Sequence, residues 1–162
     1  MQVAPLSTET LRDQIHRAFE DVPIPEHVGE MLLEGYKQSE DPYMMAAEFV
    51  GKPWQRIPLQ RLVFHRESLG MLSAKAFRAY LPAYLQACLA SDDPFHKYGA
   101  DIRGYVLYSL KAWPHNNEYH RSTVPERLSL LDAEQRAAVA AVLRYLETHW
   151  HMNDAAAVLA DW

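Results

Sequence analysis

The chain has 162 residues, 49% of them hydrophobic, and a formal net charge of −5 at neutral pH. This length suits one domain with its own core, and the composition excludes an intrinsically disordered chain. The single cysteine excludes an internal disulfide and no apolar run is long enough to span a bilayer, so we expect one soluble, cytoplasmic domain over residues 1–162.

Apolar residues recur every three or four positions through most of the chain, which predicts an all-α fold. The first helix contains Leu11, Ile15 and Phe19 on one face and starts behind Ser7, which is placed as an N-cap. Residues 23–25 contain two prolines and should end this helix.

A second helix is predicted from a stripe of four apolar residues, Val28, Met31, Leu32 and Tyr36. A third helix should begin at Asp41 and Pro42, because proline at the first helical position loses no needed hydrogen bond, and should stop at Gly51. Residues 52–70 include two prolines and are predicted to form only a turn or two of helix.

The clearest element is a central helix that begins behind Ser73 as its cap. Its apolar face is formed by Phe77, Leu81, Tyr84, Leu85, Cys88 and Leu89. Pro82 lies inside it and removes one amide donor, so we predict a kink between Arg78 and Pro82. The expected architecture is an irregular helical bundle around this kinked helix, with Cys88 as a buried structural thiol.

The following segment, residues 91–99, is a loop by composition. Asp101 could cap the next helix, whose stripe is formed by Ile102, Val106, Leu110 and Trp113. Residues 105–108 are β-prone enough to allow a strand, although helix is favoured. Residues 114–125 are polar and punctuated, which predicts a long loop of the kind that is often functional or mobile.

Two helices are predicted near the end of the chain. Asp132 and Gln135 are spaced as a capping box at the start of a long helix that runs to Trp150. Asn153 or Asp154 can cap a last short helix that docks on the core through Val158, Leu159 and Trp162.

Two segments carry a resemblance to a known family. The run LSAKAFRAYLPAYLQACL, with Trp54 before it, and the later run RLSLLDAEQRAAVAAVLRYLETHW resemble a family of small bacterial proteins catalogued only as a domain of unknown function. The resemblance extends over roughly residues 10–150, and its most distinctive part surrounds Phe77, Tyr80 and Pro82. It implies an all-α domain and brings no chemistry with it.

Charge is unevenly distributed along the chain. Residues 1–51 hold three basic and ten acidic side chains, whereas residues 52–78 hold six basic and one acidic. On the predicted second helix, three glutamates four residues apart would stack like charge on like charge at a small cost in stability, which suggests a surface kept for a basic partner. We assign eight residues to partner binding. Five are acidic residues of the first third, Glu20, Asp21, Glu26, Glu30 and Glu34, and three lie at or just before the predicted polar loop, Trp113, His115 and Tyr119.

The alternative is that these acidic groups are solvated or are paired inside the fold with Arg56, Arg61 or Arg66. The basic segment, residues 52–78, with Trp54 and Phe64 interleaved, could in principle contact phosphates and bases. The acidic first third and a sequence pI near 5.9 argue against nucleic-acid binding, because both would repel a polyanion. Pairing of these cations within the fold is the preferred interpretation.

No catalytic motif is present. None of the six glycines has a phosphate-loop spacing, and neither a G-x-S-x-G nor an H-E-x-x-H sequence occurs, so we assign no catalytic residue and no cofactor. Histidine and carboxylate residues with helical spacing leave a metal site open as an alternative. The candidate sets are Asp13 with His16 and Glu20, His115 with Glu118 and His120, and Glu147 with His151 and Asp154.

Two function classes follow from these observations. The first is a non-catalytic protein-binding module, most concretely a bacterial immunity or antitoxin-type protein that neutralises a basic toxin. The second is a metal-dependent enzyme or metal-binding protein built on the histidine-rich loop or on the C-terminal His/Glu/Asp set. The oligomeric state and the partner are not encoded in any motif.

Overall fold

The computed structural model describes residue 4, residues 6–90 and residues 102–162. The α-helices within these residues are α1 Thr8–Phe19, α2 Glu40–Phe49, α3 Leu59–Phe64, α4 Ala74–Cys88, α5 Ile102–Ser109, α6 Glu118–Ser129, α7 Ala133–His149 and α8 Asn153–Ala160. Short 3₁₀ segments join them at Val28–Glu30, Glu34–Tyr36, Trp54–Arg56 and Arg66–Met71. The all-α prediction is confirmed.

α4 lies at the centre of the bundle. Eleven of its fifteen residues are buried, including Cys88, and it contacts α1, α3, α5, α6 and α7. α8 packs on α7 and α5, and one continuous hydrophobic cluster extends from Leu11 to Val158. Pro82 lies within α4 without ending it, and the bend predicted there remains a prediction.

Three predicted N-caps are confirmed. Ser7 accepts from the amide of Thr10, and Ser73 accepts from the amide of Ala76. Asp132 forms a capping box with Gln135 at the start of α7. These caps explain why α1, α4 and α7 begin where the sequence indicates, because each supplies an acceptor to an amide that the helix leaves unpaired. The last short helix differs, since its N-cap position is Met152.

The predicted second helix is wrong. Residues 28–36 form two 3₁₀ turns, and residues 31–33 between them run beside residues 71–73. The amide of Leu33 donates to the carbonyl of Met71 at 3.0 Å, and the amide of Ser73 donates to the carbonyl of Met31 at 2.9 Å. Two glycines in this stretch weaken a helix, and pairing with residues 71–73 satisfies the backbone while Met31 and Leu32 still become buried.

The long loop predicted over residues 114–125 is also wrong from Glu118 onwards, where α6 begins. Asn117 caps α6 by accepting from the amide of His120 at 2.8 Å, and Pro125 lies inside the helix. The buried face of α6 consists of His120, Val124 and Arg127, which have helical spacing but little hydrophobicity. The stripe was therefore present but made largely of polar residues.

Arg127 explains how such a face can be buried. Its side chain is only 1% exposed and donates to the carbonyl of Ser109 at 2.9 Å and to that of Gly70 at 2.7 Å. Those carbonyls lie at the ends of α5 and of the 3₁₀ helix Arg66–Met71, where the helix dipole favours a cation. Burial lowers the pKa of Arg127 to about 10, which still leaves it charged at neutral pH.

The structure of α5 decides between the helix and the strand predicted for this part of the chain. Residues 102–109 are helical, so the strand alternative for residues 105–108 is excluded. The predicted loop over residues 91–99 and the predicted cap Asp101 lie outside the described residues. Among the described helices, none has both the length and the hydropathy that a bilayer-crossing segment needs.

Candidate protein-docking surface

α2 and α3 present apolar side chains to solvent. α2 packs on the core through Met45, Ala46 and Phe49, which leaves Tyr43 and Met44 on its outer side. Tyr43 is 52% exposed and Met44 is 46% exposed. In α3 the same division holds, because Leu62 and Val63 are buried whereas Phe64 is 59% exposed.

These three exposed side chains belong to one surface. Met44 and Phe64 line one shallow groove with His65, and Met44 and Tyr43 line a second groove that also includes His65. We call Tyr43, Met44 and Phe64 the α2–α3 patch. Single exposed apolar residues are ordinary, but a contiguous group is typical of an interaction site.

A charged cluster borders the patch. Glu48 of α2 accepts from Nε of Arg61 at 2.6 Å through one carboxylate oxygen and is 2.7 Å from Nε2 of His65 through the other. The Arg61 guanidinium also lies 4.7 Å from the centre of the Phe64 ring. This Glu48–Arg61–His65 cluster therefore joins the outer faces of α2 and α3.

His65 is held in place from several sides. Its ring is 4% exposed, with the rings of Phe49 and Phe64 edge-on to it at 5.5 and 4.9 Å. Its backbone carbonyl accepts from the hydroxyl of Tyr84 in α4 at 3.0 Å. The position of His65 is thus set by the central helix rather than by the surface.

The pKa shifts of Glu48 and His65 determine which of the two donates the proton in their hydrogen bond. Burial raises the pKa of Glu48, but the hydrogen bonds from Arg61 and His65 outweigh it and the net pKa lies below its usual value. Burial lowers the pKa of His65, and the opposing effect of Glu48 does not restore it. At neutral pH an ionised Glu48 therefore accepts the Nε2 proton of a neutral His65.

Unpaired acidic groups lie on the same helix. Glu40 and Asp41 at the start of α2 are exposed, and neither forms an ion pair with another described residue. The nearby cation Arg66 is occupied, because it donates to the carbonyl of Val63 at 2.9 Å and lies 5.8 Å from the Tyr105 ring centre. Two carboxylates without a salt-bridge partner among the described residues therefore border the patch, together with the held guanidinium of Arg66.

The acidic residues predicted to bind a partner do not form a helical stripe. Glu20 follows the end of α1, and residues 26–34 have no continuous helix. Glu30 pairs with Lys75 at 3.0 Å and Glu34 pairs with Lys37 at 2.9 Å. The predicted docking surface on residues 26–34 was based on like charges stacked four residues apart on a helix, and this geometry is wrong. Glu30 and Glu34 are paired with lysines and not with any of the three candidate arginines. The exposed residues of the set are Glu20, Asp21, Glu26 and Glu34.

The second group of predicted binding residues is partly absorbed by the fold. The indole Nε1 of Trp113 donates to the carbonyl of Leu107 at 3.1 Å. The exposed ring of His115 lies with its centre 6.0 Å from the centre of the Trp113 ring. Tyr119 is partly exposed, yet its hydroxyl accepts from the amide of Gly35 at 2.8 Å. The structure thus brings Tyr119 next to Glu34 but leaves Trp113 and His115 elsewhere.

The candidate metal sets do not assemble. Within the part of the chain that the structure describes, no three His, Cys, Asp or Glu side chains converge to hold a metal ion. His120 is buried with its ring 4.6 Å from that of Tyr108, and His16 lies edge-on to Trp54 at 5.9 Å. Each of these histidines therefore packs against an aromatic ring.

As predicted, members of the basic segment, residues 52–78, form ion pairs with acidic residues of the first third of the chain. Arg61 pairs with Glu48, and Lys75 pairs with Glu30. Arg78 reaches Gln135 at 3.0 Å and so supports the start of α7. These contacts place part of the segment's charge inside the fold.

Sequence reasoning missed the α2–α3 patch and its charged cluster. The segment EDPYMMAAEF has apolar residues on both faces of its helix, so the pattern does not say which face is exposed. In the sequence, Phe64 stands out only as an aromatic residue among the cations of residues 52–78. The one available signal was Met44, which falls outside any single apolar stripe.

Comparison with known proteins gives one match. No curated protein and no solved structure matched the chain. A family model described as a family of unknown function, DUF6714, matches residues 7–161. This match covers nearly the whole chain and agrees with the resemblance carried by the α4 and α7 segments, so the chain belongs to the DUF6714 family.

Proposed function

We propose that this chain is a cytoplasmic, non-catalytic protein-binding module that docks a partner with a basic surface, as a bacterial immunity or antitoxin-type protein docks a toxin. The observation that carries the proposal is the α2–α3 patch. Tyr43, Met44 and Phe64 are large apolar side chains that remain exposed beside one another. Aromatic residues and methionine are enriched at the centres of interfaces, where burial stabilises a complex most.

Charge complementarity defines the partner. Glu40 and Asp41 lie next to the patch, whereas Arg61 is paired with Glu48 and Arg66 is held by the Val63 carbonyl and the Tyr105 ring. A partner that brings lysine or arginine residues around an apolar pocket would satisfy both the patch and its border. Such a border speeds encounter and suppresses wrong partners, while the apolar centre supplies most of the affinity.

The experiment compares captured proteins from native lysate with four baits. The baits are the wild-type chain, a double variant Met44→Ser/Phe64→Ser, a control Leu130→Ser at another exposed apolar residue, and Glu40→Lys/Asp41→Lys. We expect a basic protein that wild type and Leu130→Ser retain, that the double serine variant loses by about tenfold or more, and that the lysine variant binds less tightly at low salt.

The acidic surface of the first third is tested by one further variant in the same capture experiment. The pair Glu30→Lys/Glu34→Lys reverses two of the predicted binding residues without touching the patch. Loss of the partner in this variant, with retention in the double serine variant, would move the docking site to residues 26–34. Equal capture by all baits would refute both surfaces, provided that circular dichroism shows every variant folded.

A further inference from the structure

A second concave surface lies between α1, α4 and the 3₁₀ turn Trp54–Arg56. This α1–α4 groove has a volume of about 400 Å³, within the range of small-molecule sites. Its apolar lining includes Trp54, Ile57, Leu62 and Ala87. It does not include the α2–α3 patch, so an occupant here is independent of the proposed protein partner.

Among the described residues that line this groove, Arg12 and His16, four residues apart on α1, are the only ionisable ones, and none is Asp or Glu. The chain as a whole has 21 acidic side chains against 16 lysines and arginines. Within the described lining, an arginine with no carboxylate beside it is therefore a local exception, and it fits an anion rather than a cation or a neutral ligand.

Arg12 is available for such a ligand. Its guanidinium makes one long contact, 3.4 Å to the carbonyl of Leu89, and has no carboxylate partner among the described residues. Gln86, also in the lining, donates to the backbone carbonyl of Arg12 at 3.3 Å and so fastens this part of α1 to α4. A planar guanidinium held at the edge of a cleft is suited to bidentate contact with a carboxylate.

Aromatic walls define the other half of the ligand. Trp54 is 8% exposed, and the His16 ring meets it edge-on at 5.9 Å. The Trp54 indole Nε1 is buried without a hydrogen-bond partner in the described residues, which is costly for a donor. Trp54 and His16 therefore form an aromatic wall of the groove.

We propose that the α1–α4 groove binds a small aryl carboxylate. The aryl ring packs on Trp54, Ile57 and Leu62, and the carboxylate pairs with Arg12. His16 stands four residues along the same helix as a further donor to the carboxylate. Both parts are needed, because neither the single exposed arginine nor the apolar lining alone would select such a ligand.

The test uses 3-phenylpropanoate as the probe and its neutral amide, 3-phenylpropanamide, as the matched probe. Binding is followed by the indole N–H signals in two-dimensional NMR, where a Trp54→Phe variant identifies the Trp54 signal. We expect the acid to shift the Trp54 indole signal in a saturable way. The amide should bind at least about fivefold more weakly, because it lacks the charge that Arg12 recognises.

Two variants on α1 separate the groove from general surface charge. Arg12→Gln removes the proposed contact, and Arg17→Gln removes an exposed arginine of the same helix that does not line the groove. We expect the first to weaken the acid about fivefold and to leave the amide unchanged, and the second to change neither. Three results would each overturn the proposal: no saturable shift at Trp54, equal affinity for acid and amide, or full binding by folded Arg12→Gln.

Discussion

The hydroxyl of Tyr119 in α6 accepts a hydrogen bond of 2.8 Å from the backbone amide of Gly35, 84 residues earlier in the chain. A Cβ atom added to Gly35 would lie 2.7 Å from Cζ of Tyr119, well inside van der Waals contact. The Tyr119 ring also meets that of Tyr36 edge-on at 5.7 Å. The close approach of α6 to the turn Glu34–Tyr36 therefore depends on the absence of a side chain at position 35.

We expect Gly35→Ala to lower the free energy of unfolding by no more than about 1 kcal/mol, because the methyl group meets the far end of the partly exposed Tyr119 side chain, which can move aside at the cost of its hydrogen bond. In a Tyr119→Ala background the same change should be neutral or should stabilise by about 0.5 kcal/mol, since alanine restricts the unfolded chain. Urea denaturation of the four proteins measures both values. An equal cost in both backgrounds would contradict the contact.

Arg127 offers a prediction about buried charge. Arg127→Met keeps the apolar stem near Phe77 but leaves the carbonyls of Ser109 and Gly70 without their donor. We expect a loss of about 2–4 kcal/mol of stability in urea denaturation, since each unpaired buried acceptor is costly. Arg121→Met, on an exposed position of the same helix, is the control and should change stability by less than about 0.5 kcal/mol. Equal costs would show that the hydrogen bonds contribute nothing.

His65 should make the fold sensitive to mild acid. Its folded pKa lies below the usual value of 6.5, so below pH 6.5 the unfolded chain binds a proton that the folded chain resists. Stability is therefore complete above pH 6.5 and falls as the pH drops below it. His120 adds to the same trend, because burial first and the nearby Arg127 second lower its pKa as well.

The check is the titration of histidine ring signals by NMR together with unfolding free energies at pH 7 and pH 5.5. We expect His65 to titrate below 6.5 and the variant His65→Gln to lose less stability between the two pH values than wild type. A His65 titration above 6.5 would reverse the sign and contradict the role of burial.

Glu48 should raise the pKa of His65, although burial keeps that pKa below its usual value. Its hydrogen bond and its charge both favour the protonated form of His65. Glu48→Gln removes the charge, so we expect the His65 pKa to fall further and stability to decrease by no more than about 1 kcal/mol, because Arg61 and Glu48 are both in partial contact with water. The same NMR titration reports the shift. An unchanged or raised His65 pKa in this variant would show that the 2.7 Å contact does not act through charge.

The sequence predicts the helices that combine a cap with an apolar stripe. Ser7, Ser73 and Asp132 each precede such a stripe, and each caps a helix in the structure. Local chemistry decides these elements, because the acceptor, the amide that it satisfies and the buried face all lie within a few turns. The same locality made the family resemblance readable in the segments of α4 and α7.

The two errors have non-local causes. Met31 and Leu32 are buried and belong to a stripe of helical spacing that also includes Val28 and Tyr36. Their backbone nevertheless pairs with residues 71–73, about forty positions away, which no window of sequence can indicate. α6 was predicted as a loop because its buried face contains His120 and Arg127 instead of hydrophobic residues. In both cases tertiary contacts outweighed the local pattern.

The candidate docking site could not be predicted for a related reason. Exposure of Met44 and Phe64 depends on which faces of α2 and α3 the central bundle covers. The pairing of Glu48 with His65 depends on how those two helices meet. Composition could reveal the excess of acid in the first third of the chain, but it could not reveal which acids remain unpaired.

Ser73 links the start of the central helix to a distant segment. Its hydroxyl accepts from the amide of Ala76 and donates to the carbonyl of Glu30 at 2.5 Å, while its own amide donates to Met31. A slip of residues 30–33 by one position along residues 71–73 would break the two bonds to Glu30 and Met31 and exchange the directions in which Met31 and Leu32 point. The helix cap therefore acts as a register lock, giving a segment without regular secondary structure a single alignment on its neighbour.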